Sequence, residues 1–404
     1  MIPNTVTMQM KNSIDKVCYR EYIIPLLMGM IVFSPLSSFI TINLFHFPIS
    51  APEILFIPFI PYFYRAFYPR TINIKLLVSL ILVWCAILAI SLIANDYTII
   101  EIIGCARTYL YIILFFAVFT SKHTISFYLM ALVAYGGILG WGLDVFLRFF
   151  TMSTDDKIII GYGPMIAIPI AITYPAVNNQ RKLAFLLFLF CICIGIFGAL
   201  RRVIFITTIV YLVVIVYVSL RNPKVRLKLF SLGCITISAL ILAYPFIKET
   251  IHNYSWDLYV RIILKSEDFF NGGGNSGDEG RTNAIAEYFN NFNEYIIPNG
   301  FVSKQYNTTG EGIYNDFPLT EISHTFGILI SVCFILYFSI QSILLLKKIR
   351  NYSCSESYLI FPIGFLTICI LLFMEGSFLT FPYQSIYTGY LLSGLVKRHH
   401  TSII

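Results

Sequence analysis

Long apolar stretches, separated by short polar segments, recur along almost the whole chain. A membrane-spanning helix needs about 20 consecutive apolar residues. Runs of this kind lie near 23–43, 51–68, 74–94, 99–120, 125–146, 158–177, 183–200, 203–220, 229–247, 323–346, 357–374 and 381–396. Pro58 and Pro61 interrupt the second run, and only Arg201-Arg202 separates the seventh run from the eighth. The pattern predicts an all-α, polytopic integral membrane protein with about twelve transmembrane helices.

Composition agrees with a chain whose main solvent is the bilayer. Of the 404 residues, 57% are apolar and only 12% are charged, and that charged share is about half of what soluble domains carry. We attribute the net charge of +7 to anchoring on the cytoplasmic side and expect no nucleic-acid partner. The nine cysteines form no CxxC or Cys/His cluster, so the sequence predicts no metal or other cofactor.

Basic residues are distributed unevenly between alternate loops. When the N-terminus is placed in the cytoplasm, most of the 28 Lys and Arg residues fall in cytoplasmic loops and tails, which is the positive-inside pattern. This predicts that both termini are cytoplasmic and that residues 247–322 form a large loop on the other side. The predicted organisation is therefore 1–246 with nine helices, 247–322 as the loop, and 323–404 with three helices and a tail.

The large loop carries most of the polar sequence. Residues 254–270 show helical spacing of apolar side chains and are predicted to form an amphipathic helix on the membrane surface. A Gly-rich stretch at 271–280 precedes a second short helix, which begins at Arg281. Residues 298–300 (Pro-Asn-Gly) predict a turn, and Pro318 suits the first turn of the following helix.

Three arginines outside the membrane core are candidates for binding phosphate. Arg201 and Arg202 occupy the reversal between two predicted helices on the side where basic residues are scarce. They could clamp a pyrophosphate or extend to the lipid headgroups. Arg281 lies where the Gly-rich stretch meets a helix start, a favourable place for anions; alternatively, it pairs with Asp278 or Glu279.

Three further residues could handle protons next to that site. Asp316 precedes the tenth predicted helix and could act as a general base toward a sugar hydroxyl or simply cap the helix. Glu321 and His324 are three positions apart on that helix and therefore share a face. They could form a proton-handling pair or make local hydrogen bonds within the helix bundle.

Two sites in the apolar runs carry charges that need partners. Arg107 would lie about 12 Å inside the fourth run, where a charge is costly unless it is paired or hydrated; alternatively, residues 98–105 lie in the interface. Asp144 and Arg148 are four positions apart on the fifth helix and are predicted to form an ion pair.

The combined pattern resembles the O-antigen polymerase and O-antigen ligase superfamily. The shared features are arginine at a tight helix reversal, Gly280-Arg281-Thr282 in a large loop after the ninth helix, the segment 315–321 (Asn-Asp-Phe-Pro-Leu-Thr-Glu), and the segment 326–329 (Phe-Gly-Ile-Leu). The resemblance implies a bacterial inner-membrane protein with a periplasmic loop and the fold of a metal-independent, C-type membrane glycosyltransferase.

The resemblance also implies roles for particular residues. Arg201 or Arg202 matches the reversal arginine of the family, Arg281 matches its loop arginine, and these bind the pyrophosphate of the donor. In ligases a His stands eleven positions before the glycine that corresponds to Gly327, whereas this chain has Asp316 there. Polymerases commonly resemble the Asp pattern, which favours a polymerase.

The function expected from the resemblance is polymerisation of undecaprenyl-pyrophosphate-linked oligosaccharide repeat units into a long O-antigen polysaccharide. A regulator of chain length is an expected partner besides the bilayer. Two alternatives remain: a ligase that transfers the glycan to lipid A-core, and a flippase for lipid-linked oligosaccharides. A flippase should have short loops on both sides and two similar halves, and neither is visible in this sequence.

Overall fold

The computed structural model describes about two thirds of the chain. The described residues are 21–44, 52–67, 72–94, 99–121, 126–151, 163–197, 201–221, short stretches within 242–264, short stretches within 286–290, and 292–301, 318–352, 354–374 and 382–396. All the regular elements within these ranges are helical. The prediction of an all-α protein is therefore confirmed for the residues that the structure describes.

Fourteen α-helices are named here in chain order. They are α1 (Glu21–Ile31), α2 (Leu36–Phe39), α3 (Pro52–Phe56), α4 (Ile60–Phe67), α5 (Ile74–Ala94), α6 (Ile99–Ser121), α7 (Phe127–Thr151), α8 (Ala167–Val177), α9 (Arg181–Phe197), α10 (Arg201–Arg221), α11 (Pro318–Phe326), α12 (Ile328–Arg350), α13 (Ile360–Met374) and α14 (Ser385–Val396). Short 3₁₀ or π-helical turns lie at Ile40–Leu44, Ile57–Phe59, Tyr259–Leu264, Phe292–Tyr295, Glu356–Leu359 and Pro382–Gln384.

Six of the described helices are long and apolar enough to cross a membrane, namely α5, α6, α7, α10, α12 and α13 with its leading turn. The most apolar window of each has a mean hydropathy between 1.6 and 2.9. A seventh span results if α1 and α2, which meet at 67°, are one broken helix. Pro35 lies in that break, as expected from its missing N–H and its clash with the preceding turn.

Other predicted runs differ from the helices that form. The second run is divided by the 3₁₀ turn at Ile57–Phe59, as its prolines predicted. The tenth run was predicted as one helix from 323 to 346, but the chain breaks at Gly327, which has φ +81°. Glycine suits this break because it tolerates the positive φ and because it lies against Ile296 and Pro298, where an added Cβ would be 3.0 Å from the Ile296 carbonyl oxygen. Of the ninth run, only residues 242 and 244–246 are described, and they are helical.

Glycine allows α1 and α7 to pack backbone against backbone. A Cβ added at Gly29 would collide with the Val133 carbonyl, and one added at Gly136 would collide with that of Leu26. Small residues on facing helices permit this approach in membranes, where tight packing stabilises association. The buried Tyr387 hydroxyl of α14 lies within hydrogen-bond distance of the Phe33 and Val133 carbonyl oxygens, at 3.1 and 3.2 Å. This contact joins α14 to the pair.

Ring contacts and hydrogen bonds define two ends of the helix bundle. At one end, Phe127 contacts Tyr358, Tyr128 contacts Tyr174, and Asn178 lies beside Ser357. The helix termini nearby are basic and carry Arg181, Lys182, Lys347, Lys348 and Arg350; we call this the basic end. At the opposite end α5 and α7 finish and α6 and α10 begin, and we call it the site end.

Candidate functional site

Residues 299–301, which belong to the predicted large loop, are docked onto the site end of the bundle. The Phe301 backbone N–H donates to Ser91 Oγ at 2.7 Å, and the Ser91 hydroxyl donates to the Ile87 carbonyl at 2.7 Å. Phe301 is 1% exposed and packs on Tyr109, with ring centroids 5.4 Å apart. Residues 299–301 thus form a fixed arm against α5 and α6, and we call this segment the docked arm.

His324 on α11 holds the docked arm from the other side. Its Nδ1 lies 3.3 Å from the Gly300 carbonyl oxygen, and the Asn299 N–H donates to the His324 carbonyl at 2.8 Å. Because a carbonyl oxygen only accepts, Nδ1 must carry the proton, and in the neutral ring Nε2 is then an acceptor. The Gly300 carbonyl therefore selects the tautomer of His324.

Burial lowers the pKa of His324 below its ordinary value of 6.5, although the hydrogen bond to Gly300 and the charge of Glu294 act in the opposite direction. A buried imidazole disfavours its charged form because the cation loses hydration. The ring is therefore neutral at pH 7. A neutral histidine with a fixed tautomer has the chemistry of a general base, because Nε2 can accept a proton.

Glu321 contacts the transmembrane helix α6. The Tyr109 hydroxyl donates to Glu321 Oε1 at 2.9 Å, and the Tyr109 ring also packs against Phe326. The sequence left two roles open for Glu321 and His324, a proton-handling pair or hydrogen bonds within the bundle. Their contacts lead to different elements, α6 for Glu321 and the docked arm for His324. Both side chains make hydrogen bonds within the bundle, and the proton-handling role stays a prediction.

The loop touches α11 at a second place. The hydroxyl groups of Tyr288 and Ser323 are 2.9 Å apart and buried. The Tyr288 ring packs on Tyr295, which in turn lies 6.5 Å from the His324 ring. Loop residues thus pack against the Ser323 and His324 positions of α11, and these contacts help to fix the direction in which the helix presents His324.

The arginine pair lies at the same end of the bundle. Arg201 and Arg202 are the first two residues of α10 rather than a loop between helices, and the Arg202 side chain is half-buried. Phe188 stacks on Tyr211 at 4.2 Å, as expected for antiparallel α9 and α10 joined by a short connection. Helices α10 and α11 both pack against α13, which makes them neighbours through a common helix.

Two of the predicted site residues lie outside the described residues, namely Arg281 and Asp316. Pro318 is the first residue of α11, as predicted. In the segment predicted as a surface helix, the described part forms the π-helical turn Tyr259–Leu264, with Tyr259 and Ile263 buried. Trp256 of the same segment is 58% exposed, which is suitable for an interfacial position.

Both charged sites in the apolar runs have partners. Arg148 Nε donates to Asp144 Oδ1 at 2.9 Å, and Asp144 is fully buried, so the predicted ion pair is confirmed. Arg107 Nη1 lies 3.5 Å from Glu53 Oε1, which also accepts from the Tyr111 hydroxyl at 2.7 Å. The sequence indicated that the charge of Arg107 needed a partner but did not identify Glu53 as that partner.

Several residues of the site gave no signal in the sequence. Ser91 and Tyr109 lie inside apolar runs, where an isolated hydroxyl is common. The Asn299-Gly300 turn was predicted, but its docking was not. Gly300 has φ +87°, and an added Cβ would lie 2.6 Å from the backbone nitrogen and Cα of Ser91. A glycine in a polar turn beside an apolar Phe301 is the feature that could have indicated a close backbone contact.

Within the described ranges, no group of three or more His, Cys, Asp and Glu side chains is placed to hold a metal ion. No protein-family model, curated protein or solved structure matches this chain. The described helices define an all-α membrane protein in which residues 299–301 cover a group of polar side chains at one end of the bundle.

Proposed function

We propose that this protein is a membrane glycosyltransferase that polymerises polyprenyl-pyrophosphate-linked oligosaccharide repeat units into an O-antigen-type polysaccharide. The observation that carries the proposal is the docked arm. It joins the loop to the bundle at the end where α11 presents Glu321 and His324 and where Arg201 and Arg202 begin α10. The residues proposed for acceptor chemistry and those proposed for diphosphate binding thus lie at one end of the same bundle.

The proposed topology has about twelve spans, with the large loop in the periplasm and both termini in the cytoplasm. The clustering of Arg181, Lys182, Lys347, Lys348 and Arg350 at the basic end supports this orientation, because short cytoplasmic loops are enriched in basic residues. The site end then faces the periplasm of a bacterial inner membrane. No nucleotide sugar is available there, so the donor must arrive already activated as a glycosyl pyrophosphate.

In the proposed reaction, the bond between the anomeric carbon and the pyrophosphate oxygen breaks as the acceptor hydroxyl oxygen bonds to that carbon. The lipid pyrophosphate leaves with the electron pair of the broken bond. Arg201, Arg202 and Arg281 would neutralise its growing charge without a metal, since guanidinium groups form bidentate hydrogen bonds with phosphate oxygens. Neutralising the charge of the leaving pyrophosphate is the main contribution to rate that this mechanism requires.

The hydroxyl proton of the acceptor needs a base. Asp316 is the candidate from the family resemblance, and His324 is supported by its neutral state and its acceptor Nε2. Glu321 would then orient the site through Tyr109. We expect the acceptor to be the terminal sugar of a second lipid-linked repeat unit, and each turnover would lengthen one chain by one unit.

The test is complementation of a strain in which the gene is deleted. The deletion strain should make lipopolysaccharide with one attached repeat unit. A bare core would instead indicate a ligase. Arg281→Ala should abolish long chains on silver-stained gels while the single-repeat form remains. Arg181→Ala, an exposed arginine at the basic end, is the matched control and should restore the full ladder. A normal ladder from Arg281→Ala would remove Arg281 from the site.

A further inference from the structure

A cavity of about 430 Å³ lies between the first helices of the chain, α6 and the start of α14. All but four of the described residues that line it are apolar, among them Phe33, Phe63, Leu114, Phe115 and Val118. At roughly 30 Å³ for each small group, this volume holds about fourteen groups the size of water or methylene. Its size and apolar lining are typical of a ligand pocket.

The cavity has one polar end. Glu53 and Tyr111 line it, and the Tyr111 hydroxyl donates to Glu53 Oε1 at 2.7 Å. Arg107 stands one helical turn before Tyr111 on α6 and forms an ion pair with the same carboxylate oxygen at 3.5 Å. The side chains of Arg107 and Glu53 are 27% and 39% exposed, respectively. Two opposite charges that remain partly accessible thus stand at one end of an apolar space.

The apolar part of the cavity extends from this pair toward the basic end. Tyr111 and Val118 are separated by about 10 Å along α6. Leu77 lines the far part, near the place where the Asn73 N–H donates to Ser121 Oγ and joins α5 to α6. The long axis of the cavity therefore follows the helix axis, which is the direction of lipid chains in a bilayer.

The depth of the polar end suits a lipid headgroup. The part of α6 that can span the membrane is Ile102–Ser121, and Arg107 lies about 7.5 Å inside its first residue. Helical side chains point back toward the N-terminus, so Arg107 extends toward that boundary and can reach the headgroup level. Below it, the apolar space can receive a hydrocarbon chain.

We infer that this cavity is a binding site for one phospholipid with a zwitterionic, amine-bearing headgroup. Its acyl chain fills the apolar space, its phosphate lies at Arg107, and its ammonium group lies at Glu53. The charge pair complements both charges of such a headgroup, whereas an anionic lipid would place only negative charge beside Glu53. The apolar walls favour a chain over water. This site does not depend on the proposed glycosyl transfer.

The experiment uses the full-length protein in vesicles of phosphatidylethanolamine and phosphatidylglycerol. One vesicle set contains a phosphatidylethanolamine probe with a photoactivatable diazirine on its acyl chain, and the other contains the matching phosphatidylglycerol probe. After illumination, labelled peptides are mapped by mass spectrometry. The ethanolamine probe should label the peptide with Leu114–Val118 at least about tenfold more than the glycerol probe, the ratio expected when one charged hydrogen bond is made only by the former.

Two kinds of variant separate the cavity from ordinary lipid contact. Leu114→Trp fills the cavity and should abolish its labelling, and Ala117→Leu does the same if the first variant does not fold. Ile103→Trp, at an exposed position of the same helix, is the control and should leave cavity labelling unchanged. Glu53→Gln should remove the preference for ethanolamine, and Arg107→Gln should weaken labelling by both probes.

Several results would overturn the inference. The first is equal labelling by the two probes. The second is labelling that stays the same in Leu114→Trp. The third is preferential competition by a polyprenyl diphosphate, which would assign the cavity to that lipid instead. Each variant is first checked for a single peak in size-exclusion chromatography and a cooperative thermal transition. This check ensures that weaker labelling reflects weaker lipid binding and not an unfolded protein.

Discussion

Gly300→Ala should release the docked arm from the bundle. Gly300 has φ +87° and lies against Ser91, and an added Cβ would be 2.6 Å from the Ser91 backbone nitrogen and Cα. Those atoms belong to α5 and cannot yield as the end of a flexible side chain could. The arm would therefore have to move away, and the Phe301 N–H would lose its bond to Ser91 Oγ.

Two terms set the size of the effect. Left-handed backbone costs a residue with a Cβ about 1–2 kcal/mol. In a docked state that is shifted to make room for the Cβ, the buried Phe301 N–H would lack its acceptor, which costs about 1–3 kcal/mol. Together these destabilise the docked state by about 2–5 kcal/mol, which shifts the docking equilibrium by roughly thirtyfold or more. The chain outside the arm keeps its contacts, so the helices themselves should persist.

Hydrogen–deuterium exchange of the purified protein measures this opening directly. In the unchanged protein the peptide that contains Asn299–Phe301 should be protected, since the Phe301 amide is buried and bonded. In Gly300→Ala the same peptide should exchange at least roughly thirtyfold faster when exchange is limited by the opening equilibrium. Polymer length in the complementation assay should fall in parallel, because His324 would lose its Gly300 partner.

Gly104→Ala is the matched control. Gly104 lies on α6 with no atom within 4 Å of an added Cβ, and alanine favours a helix by about 0.5–1 kcal/mol over glycine. This variant should keep the protection of the docked arm and the full polymer ladder. Unchanged exchange in a folded Gly300→Ala protein would refute the reasoning, because it would mean that the arm does not rest on Ser91.

Three other predictions use thermal melting in detergent. Asp144→Asn leaves the Arg148 guanidinium without its buried carboxylate and should cost about 3–5 kcal/mol, whereas Asp144→Leu with Arg148→Met should recover most of the loss; additive losses would contradict this. Gly136→Leu drives a side chain into the Leu26 carbonyl and should cost more than about 3 kcal/mol, and a normal melting curve would disprove the close packing. The pKa of His324 is lower in the folded protein than its ordinary value of 6.5. The unfolded chain therefore binds the proton more readily, so stability should fall as pH drops through and below 6.5. His324→Gln should remove that component, and an unchanged pH profile in the variant would argue against it.

The positions of most helices follow from the sequence. An uninterrupted run of about 20 apolar residues can satisfy its backbone in a bilayer only as a helix, and α5, predicted at 74–94, forms at Ile74–Ala94. Interactions within one helix could also be predicted, because residues four apart share a face. The Asp144–Arg148 ion pair is of this kind. The start of α11 at Pro318 was predicted for another reason, because proline suits the first turn of a helix.

The break at Gly327 was not predicted. The apolar pattern continues through it, and glycine occurs in continuous membrane helices as well as at breaks. Only the structure shows the positive φ of Gly327 and its close contact with Ile296 and Pro298. The prediction for 323–346 failed because a positive φ at one glycine leaves no mark in the apolar pattern.

The sequence by itself determined the class of the protein, its helical segments and the residue types available for chemistry. The tertiary structure decided which of these residues meet. Tyr109 and Glu321 are 212 positions apart, and Ser91 and Phe301 are 210 apart. Hydrophobic periodicity records whether a side chain avoids water but does not identify the helix that it faces. The docked arm, the tautomer of His324 and the apolar cavity beside Glu53 therefore became visible only in three dimensions.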